Sequence, residues 1–283
     1  MKASQQVSPP VGLVLVGPSL QSASELFYEE FLAGLEGVLS FSGITVVLQV
    51  VAREADERAT YERWARGGMV SAVLLTDLAY DDDRVALLAA LGIPTVVIGD
   101  PATAGPFAAV WTDDAEAMRD AVDRMFELSH RCVGFVSGPQ RHAHVQIRLN
   151  AFRSRAKALH IDAVHIISDY TEVGGADATR SILALPHSPT AIIYDNDLMA
   201  LGGVAAAQIL GLQIPKVLSI LAWGDSVACQ LSNPNLAVMI YDIQKIGQLA
   251  ADVLLALLRS GTASIAKAST ASCLARASID VSP

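Results

Sequence analysis

The chain has 283 residues, 52% of them hydrophobic and only 6% aromatic, with a formal net charge of −9. That length predicts one large or two medium domains around a mainly aliphatic core. The acidic balance makes these residues a poor non-specific nucleic-acid binder, because phosphate is repelled.

Met1 to Pro10 is polar, has no apolar h-region and reads as a linker or a cloning remnant rather than a signal peptide. No apolar run reaches the ~20 residues that a membrane span needs. Val11–Val16 reads as a buried strand that meets a turn at Gly17-Pro18. Leu26 to Ser40 carries Phe27, Phe31, Leu35, Val38 and Leu39 at helical spacing, and Gly43 breaks it. Strand Thr45–Val51, helix Glu54 to Arg66, strand Ala72–Leu75, helix Arg84–Leu91 and strand Thr95–Ile98 follow. Strands alternating with helices, all reading as fully buried, predict a parallel sheet covered on both faces.

The pattern then restarts. Strand Ala108–Trp111 leads to helix Asp114–Leu128, whose first-turn carboxylates suit the helix dipole. Strand Cys132–Val136, helix Ala143 to Leu159, strand Val164–Ile167 and a helix from Thr171 to Leu185 come next. Strand Ala191–Tyr194, helix Leu198–Leu210 and strand Leu218–Trp223 complete a second set. Strand Val238–Tyr241, helix Ile243–Leu258 and a strand near Ser272–Ser278 close the chain. The fold class expected is α/β, with two doubly wound lobes.

Catalytic signatures are absent. No G-x-G-x-x-G, phosphate loop or G-x-S-x-G occurs, and Ser137 reads as a turn residue. Cys132, Cys229 and Cys273 are too sparse for a disulfide framework, which suits a reducing cytoplasm. His142 and His144 are close but lack a third ligand nearby, so neither metal nor cofactor is expected. The chain is therefore not read as an enzyme. A nucleoside hydrolase or dehydrogenase would need an acid/base pair or a phosphate loop.

The most informative stretch is Ala191 to Gly202. An apolar run stops at Asp195-Asn196-Asp197 and a small-residue helix begins, which places polar groups at a strand's carboxyl end, where open α/β sheets bind ligands. Pro189 to Gly202 is similar to the motif "PTAIxxxNDxMAxG". Met125 to Pro139 is similar to "HLxELGHRRIGFIGGP", Arg148 to Phe152 to "RxxGF", Gly92 to Ile98 to "GIPVVxID", and Leu218 to Asp225 to "VSVVGFDD". Ser24 to Glu36 is similar to "SNPFFAELxxGIE", and Ala275 to Ser278 to "VRxS". In this order, over residues 11–280, the chain resembles the effector domain of the LacI/GalR transcriptional regulators.

That resemblance implies a periplasmic-binding-protein-like type I fold, with two lobes, three crossovers and a ligand cleft between them. Residues 11–111 plus 241–268 would form the N-terminal lobe, and 112–240 plus 269–283 the C-terminal lobe. It implies a sugar-like small-molecule effector, a homodimer, and operator DNA reached only through a helix-turn-helix absent from this chain. The alternative is a secreted or periplasmic sugar-binding protein of a transporter, which shares the fold.

The resemblance also implies a set of ligand-binding residues. Arg148 offers a fork of fixed donors, against the bland reading of a solvated helix face. Asp197 and Asn196 stand at the strand end, where either also suits a helix cap. Phe27 and Tyr28 form an aromatic pair, with Tyr28 expected toward the ligand and Phe27 shared with the core. Tyr170 and Trp223 occupy positions that pack on ligand, Trp223 with a core alternative. Asp225 accepts from ligand or caps the next segment. Asp113-Asp114 matches the family's "DN" at a crossover and is expected in hinge or cap duty. Gly99, Gly224 and Glu25-Leu26 depart from the pattern, which leaves pentose, polyol and nucleoside open. Replacing Arg148 or Asp197 by Ala is expected to abolish effector binding with little change in melting temperature.

Overall fold

A computed structural model describes residues 9–17 and 23–283, with side chains of the first helix from Phe27 onward. Most of the expected linker (residues 1–8), the Pro18 half of the first turn and the Ser24–Leu26 part of the first motif lie outside the residues or side chains described.

The chain divides into two compact units. One holds the described residues up to Thr112 together with Asp242–Ala268, and the other holds Asp113–Tyr241 and Ser269–Pro283. Thr112 thus ends the first unit, and Tyr241 belongs to the second.

The first unit contains β1 (Val11–Val16), α1 (Ala23–Leu39), β2 (Val46–Val51), α2 (Glu54–Gly67) and β3 (Ala72–Leu75). It continues with α3 (Asp83–Leu91), β4 (Thr95–Ile98) and β5 (Ala108–Trp111). The second unit contains α4 (Asp114–Glu127), β6 (Cys132–Ser137), α5 (Ala143–Ala158), β7 (Asp162–Ile167), α6 (Glu172–Leu183) and β8 (Ala191–Tyr194). It continues with α7 (Asp197–Ile209), β9 (Ser219–Trp223), α8 (Val227–Leu231) and β10 (Ala237–Ile240). The chain then returns to the first unit through α9 (Ile243–Ser260) and β11 (Ile265–Lys267), and closes in the second with β12 (Ser272–Leu274).

Each unit carries one six-stranded sheet, ordered β11-β5-β4-β3-β1-β2 in the first and β12-β10-β9-β8-β6-β7 in the second. All pairings are parallel except β10–β12. The two doubly wound α/β sheets are those expected from the alternating pattern. The strand order reverses between β1 and β3, and again between β6 and β8, which is the switch point of a doubly wound sheet.

Three details differ from the sequence reading. Not every strand is fully buried: the edge strands β2 and β7 are made of half-buried and exposed residues, because an edge lacks a neighbour on one side. The closing strand is short and antiparallel. Strand β11 and helix α8 carry too few residues for a periodic signal and are additions to the expected elements.

Caps follow the local chemistry. Asp82, Asp113, Thr171, Asn196, Ser226 and Asp242 each accept a backbone N–H at the start of α3, α4, α6, α7, α8 and α9. The helix pairs that flank the sheets pack backbone to backbone through glycine. A Cβ on Gly34 of α1 would lie 2.0 Å from the Gln244 carbonyl oxygen, and one on Gly202 of α7 would lie 1.9 Å from that of Glu172. Only a residue without Cβ permits this approach.

Candidate functional site

The carboxyl ends of parallel strands at a switch point gather loop backbone and helix N-termini, which makes a polar recess. In the second unit that point lies between β6 and β8. Ser137 ends β6 and Gly138 follows, while Tyr194 ends β8 and Asp195 follows. The Gly138 N–H donates to Asp195 Oδ2 at 3.1 Å and so ties the two strand ends together.

Arg148, on the buried face of α5, organises this edge. It donates from Nε and Nη2 to Asp114 Oδ1 at 2.8 and 2.6 Å, and from Nη1 to Asp195 Oδ1 at 2.8 Å. Its guanidinium carbon sits 4.2 Å from the centroid of the Trp223 ring, a cation–π contact at the end of β9. Burial disfavours the Arg148 charge, but Asp114 and Asp195 outweigh it and hold the guanidinium protonated well above its usual range. Asp195 is likewise buried against its charge, and Arg148 and His144 reverse that and lower its carboxyl below the ordinary value. Tyr170 closes over the same group: its hydroxyl donates to Asp195 Oδ2 at 3.2 Å and lies 3.0 Å from His144 Nε2. The Tyr170 ring rests on the Gly138 backbone, where a Cβ would stand 1.9 Å from Cζ. Tyr170 holds φ at +67°, a strained backbone kept by these contacts. Burial pushes the Tyr241 hydroxyl up, with Arg148 beside it pulling the other way.

The remaining predicted residues divide between frame and recess. Asn196 is the cap of α7, accepting from the Met199 N–H and donating to the Tyr170 carbonyl. Asp197 is buried. Burial raises its carboxyl, against hydrogen bonds from Ser226 and the Leu198 N–H. Trp223 is 3% exposed, and its indole Nε1 is buried without a hydrogen-bond partner among the described residues. An orphaned buried donor is costly and asks for an acceptor.

Asp225 neither stands open nor caps a helix. It forks onto Arg276 at 2.6 and 2.7 Å, and Ser226 takes the cap of α8. The Arg276 guanidinium also donates to the Leu236 carbonyl, so the pair clamps the turn after β9 to the closing segment.

In the first unit the switch point lies between β1 and β3. Tyr28 is buried there, with its hydroxyl 3.0 Å from Thr76 Oγ1 and donating to Asp77 Oδ2 at 2.9 Å. The sequence reading has Tyr28 facing the ligand more openly than Phe27. The order is the reverse: Phe27 is the half-buried ring, stacked on Phe31 with centroids 5.9 Å apart, because the Tyr28 hydroxyl finds its partners inside. Behind Thr76 and Asp77, Arg84 joins Glu57 and Asp82 and donates to both carbonyls of the turn.

Sequence reasoning missed Asp114, Asp195, Tyr241, His144 and Arg276 as parts of these networks. Asp195 carried a signal, as one of two acids in the Tyr194–Asp197 run. Arg276 carried one only as the arginine of the closing motif, with nothing to name its partner, and Tyr241 carried none, since its partners are remote in sequence. Among the described residues no group of three or more His, Cys, Asp and Glu side chains is placed to hold a metal ion. No helix there is long and apolar enough to cross a membrane.

A family model described as a periplasmic binding protein-like domain matches residues 122–279. The HTH-type transcriptional regulator AglR of Rhizobium meliloti (strain 1021) is 34% identical over 221 residues, which cover 76% of this chain and 61% of that protein. The chain therefore spans less than two thirds of that relative's length. Among solved structures, a LacI family transcriptional regulator from Bifidobacterium animalis subsp. lactis DSM 10140 superposes with a TM-score of 0.90 at 28% identity, covering 97% of this chain and 98% of that one. The complex of the transcriptional regulator CelR with cellobiose shares the fold, with a TM-score of 0.85 at 23% identity over 96% of this chain and 86% of that one.

Proposed function

This chain belongs to the periplasmic binding protein-like family, in the form that LacI/GalR transcriptional regulators carry as their effector-binding domain, and on that premise we propose that it senses a small hydroxylated ligand and relays its presence to a DNA reader. The ligand is a sugar or a related metabolite. The cellobiose bound by a structural neighbour supports that class. The proteins it matches are named as regulators, and no reaction on the ligand is assigned.

The observation that carries the reading is the Arg148 network. It stands at the switch point of the second sheet, where this architecture takes ligands. Its members Asp114 and Tyr241 lie next to two places where the chain passes between units, after Thr112 and before Asp242. A ligand that alters this network acts on the residues that lead into those crossovers. Its leverage equals its differential affinity for the two states and no more.

The proposed roles follow from the chemistry of each group. Asp197 accepts from ligand hydroxyls, and the Trp223 indole N–H donates to a ligand oxygen. The Tyr170 and Phe27 rings offer apolar faces. Arg148 and Asn196 keep the acceptors in place and lend donors at their rims. Tyr28 and Asp225 support the two edges from within. The protein acts as a homodimer in the cytoplasm, and a helix-turn-helix outside these residues reads the operator.

A thermal-shift screen against neutral sugars, polyols and nucleosides tests this reading. A ligand that binds only the folded state raises the midpoint by mass action. A saturable rise with one class supports the sensor, and silence across all of them counts against it.

A further inference from the structure

The fork of Arg148 is the group at this edge best suited to an anion, because Nε and Nη2 form a planar pair that takes carboxylate or phosphate. That pair is already filled. Both donors converge on Asp114 Oδ1, and Nη1 is spent on Asp195. The two carboxylates differ in character. The Asp195 side chain has no exposure and is fixed further by Gly138 and Tyr170, whereas that of Asp114 keeps 16% and stands at the first position of α4. An anionic ligand would have to evict Asp114 to reach the fork. The second guanidinium of this edge, Arg276, is forked onto Asp225. Asp114, Asp195, Asp197 and Asp225 outnumber the two arginines that face them. Oδ2 of Asp114 takes neither arginine bond and remains an acceptor for a hydroxyl or an ammonium group.

We propose that Asp114 is a specificity-determining residue: an internal carboxylate that fills the Arg148 fork, so that the site admits neutral hydroxylated or cationic ligands and turns away carboxylates and phosphates. The proposal rests on the effector-binding reading above. It goes beyond that reading by fixing the charge class of the ligand and naming the residue that sets it. Like charge placed where the anion must go rejects it, and the same carboxylate recruits donors.

The test uses sulfate as the probe, so that it does not depend on knowing the effector. Sulfate is titrated calorimetrically, against chloride at matched ionic strength, into the unaltered protein and into Asp114→Asn. The isosteric amide keeps the shape and removes the charge. The expected result is no saturable sulfate binding by the unaltered protein and saturable binding by Asp114→Asn, at least about tenfold tighter than the weakest affinity the titration would detect, the order expected for charge-assisted bonds released to a new acceptor. The gain should vanish when Arg148→Lys is added. Saturable sulfate binding by the unaltered protein overturns the proposal, as does a folded Asp114→Asn protein that gains none. If Asp114→Asn does not fold, the unaltered protein decides: the phosphorylated and uronic acid forms of a neutral sugar that binds must fail to bind. A sulfate gain in Asp114→Asn with no neutral ligand for the unaltered protein would leave the fork as described and remove the effector reading.

Discussion

Replacing Arg148 by Ala is expected to cost far more than ligand affinity. The side chain is 7% exposed, and its partner Asp195 has no exposure at all. Removing the cation strands a buried carboxylate that still accepts from Gly138 and Tyr170. Breaking a buried pair by deleting one partner costs about 3–5 kcal/mol. At about 2–4 °C per kcal/mol for a unit of this size, the melting midpoint should fall by roughly 6–20 °C. The small change in melting temperature expected from sequence is therefore revised, because the arginine is embedded rather than solvated.

The sign of the pH dependence is fixed too. With Arg148 present, the lowered Asp195 carboxyl contributes stability above its unfolded value, about 3.9, and loses it as pH falls through the folded value. Without Arg148, burial is opposed only by His144 and the hydrogen bonds from Gly138 and Tyr170, so that carboxyl rises from its value in the unaltered protein, and the variant gains relative stability as pH falls and the group takes up a proton. Urea unfolding of both proteins at neutral and mildly acidic pH should show the gap narrowing toward acid. Adding Asp195→Asn to Arg148→Met should recover part of the loss. A loss of under about 1 kcal/mol at neutral pH, the level of a surface pair, would refute the account of a desolvated network.

Three further outcomes are expected. Gly138→Ala should displace Tyr170 from Asp195 and cost about 1–3 kcal/mol by overpacking, visible as a changed near-ultraviolet dichroism of the tyrosine. His130 is fully buried between Thr190 and the Asp280 carbonyl, and burial lowers its pKa. Stability should therefore fall as pH drops from the unfolded value, about 6.5, toward the folded one, and His130→Gln should flatten that slope in denaturant titrations. The flattening should be partial, because burial lowers His165 as well. Trp223→Phe should leave stability within about 1 kcal/mol, since the removed N–H has no partner among the described residues, while ligand affinity drops about tenfold in calorimetry.

The sheet strands were legible because buried parallel strands read as apolar runs and the helices between them as periodic ones. Strand β11 was not, since Ile265–Lys267 gains its hydrogen bonds only from β5. The small-residue pattern Leu201-Gly202-Gly203 falls at the end of a sequence motif. Its physical reason, the approach of α7 to Glu172 of α6, needed three dimensions.

The site was legible in part. Arg148 and Asp197 lie at the edge that the strand–turn–helix pattern pointed to. What occupies Arg148 was hidden, because Asp114 and Asp195 are 34 and 47 residues away in sequence. Asp114 also looked like an ordinary helix-cap residue, a role that Asp113 takes. The burial of Tyr28 turned on Thr76 and Asp77, which carry no local signal for it.

The most direct test of the sensing claim is calorimetric titration of the neutral sugar, polyol or nucleoside that gives the largest thermal shift, into the unaltered protein and into Asp197→Asn. The account predicts stoichiometric binding by the first, and by the second a folded protein with affinity at least about tenfold weaker, because the acceptor for ligand hydroxyls has lost its charge. Equal affinities in the two folded proteins would contradict the placement of the ligand at this edge.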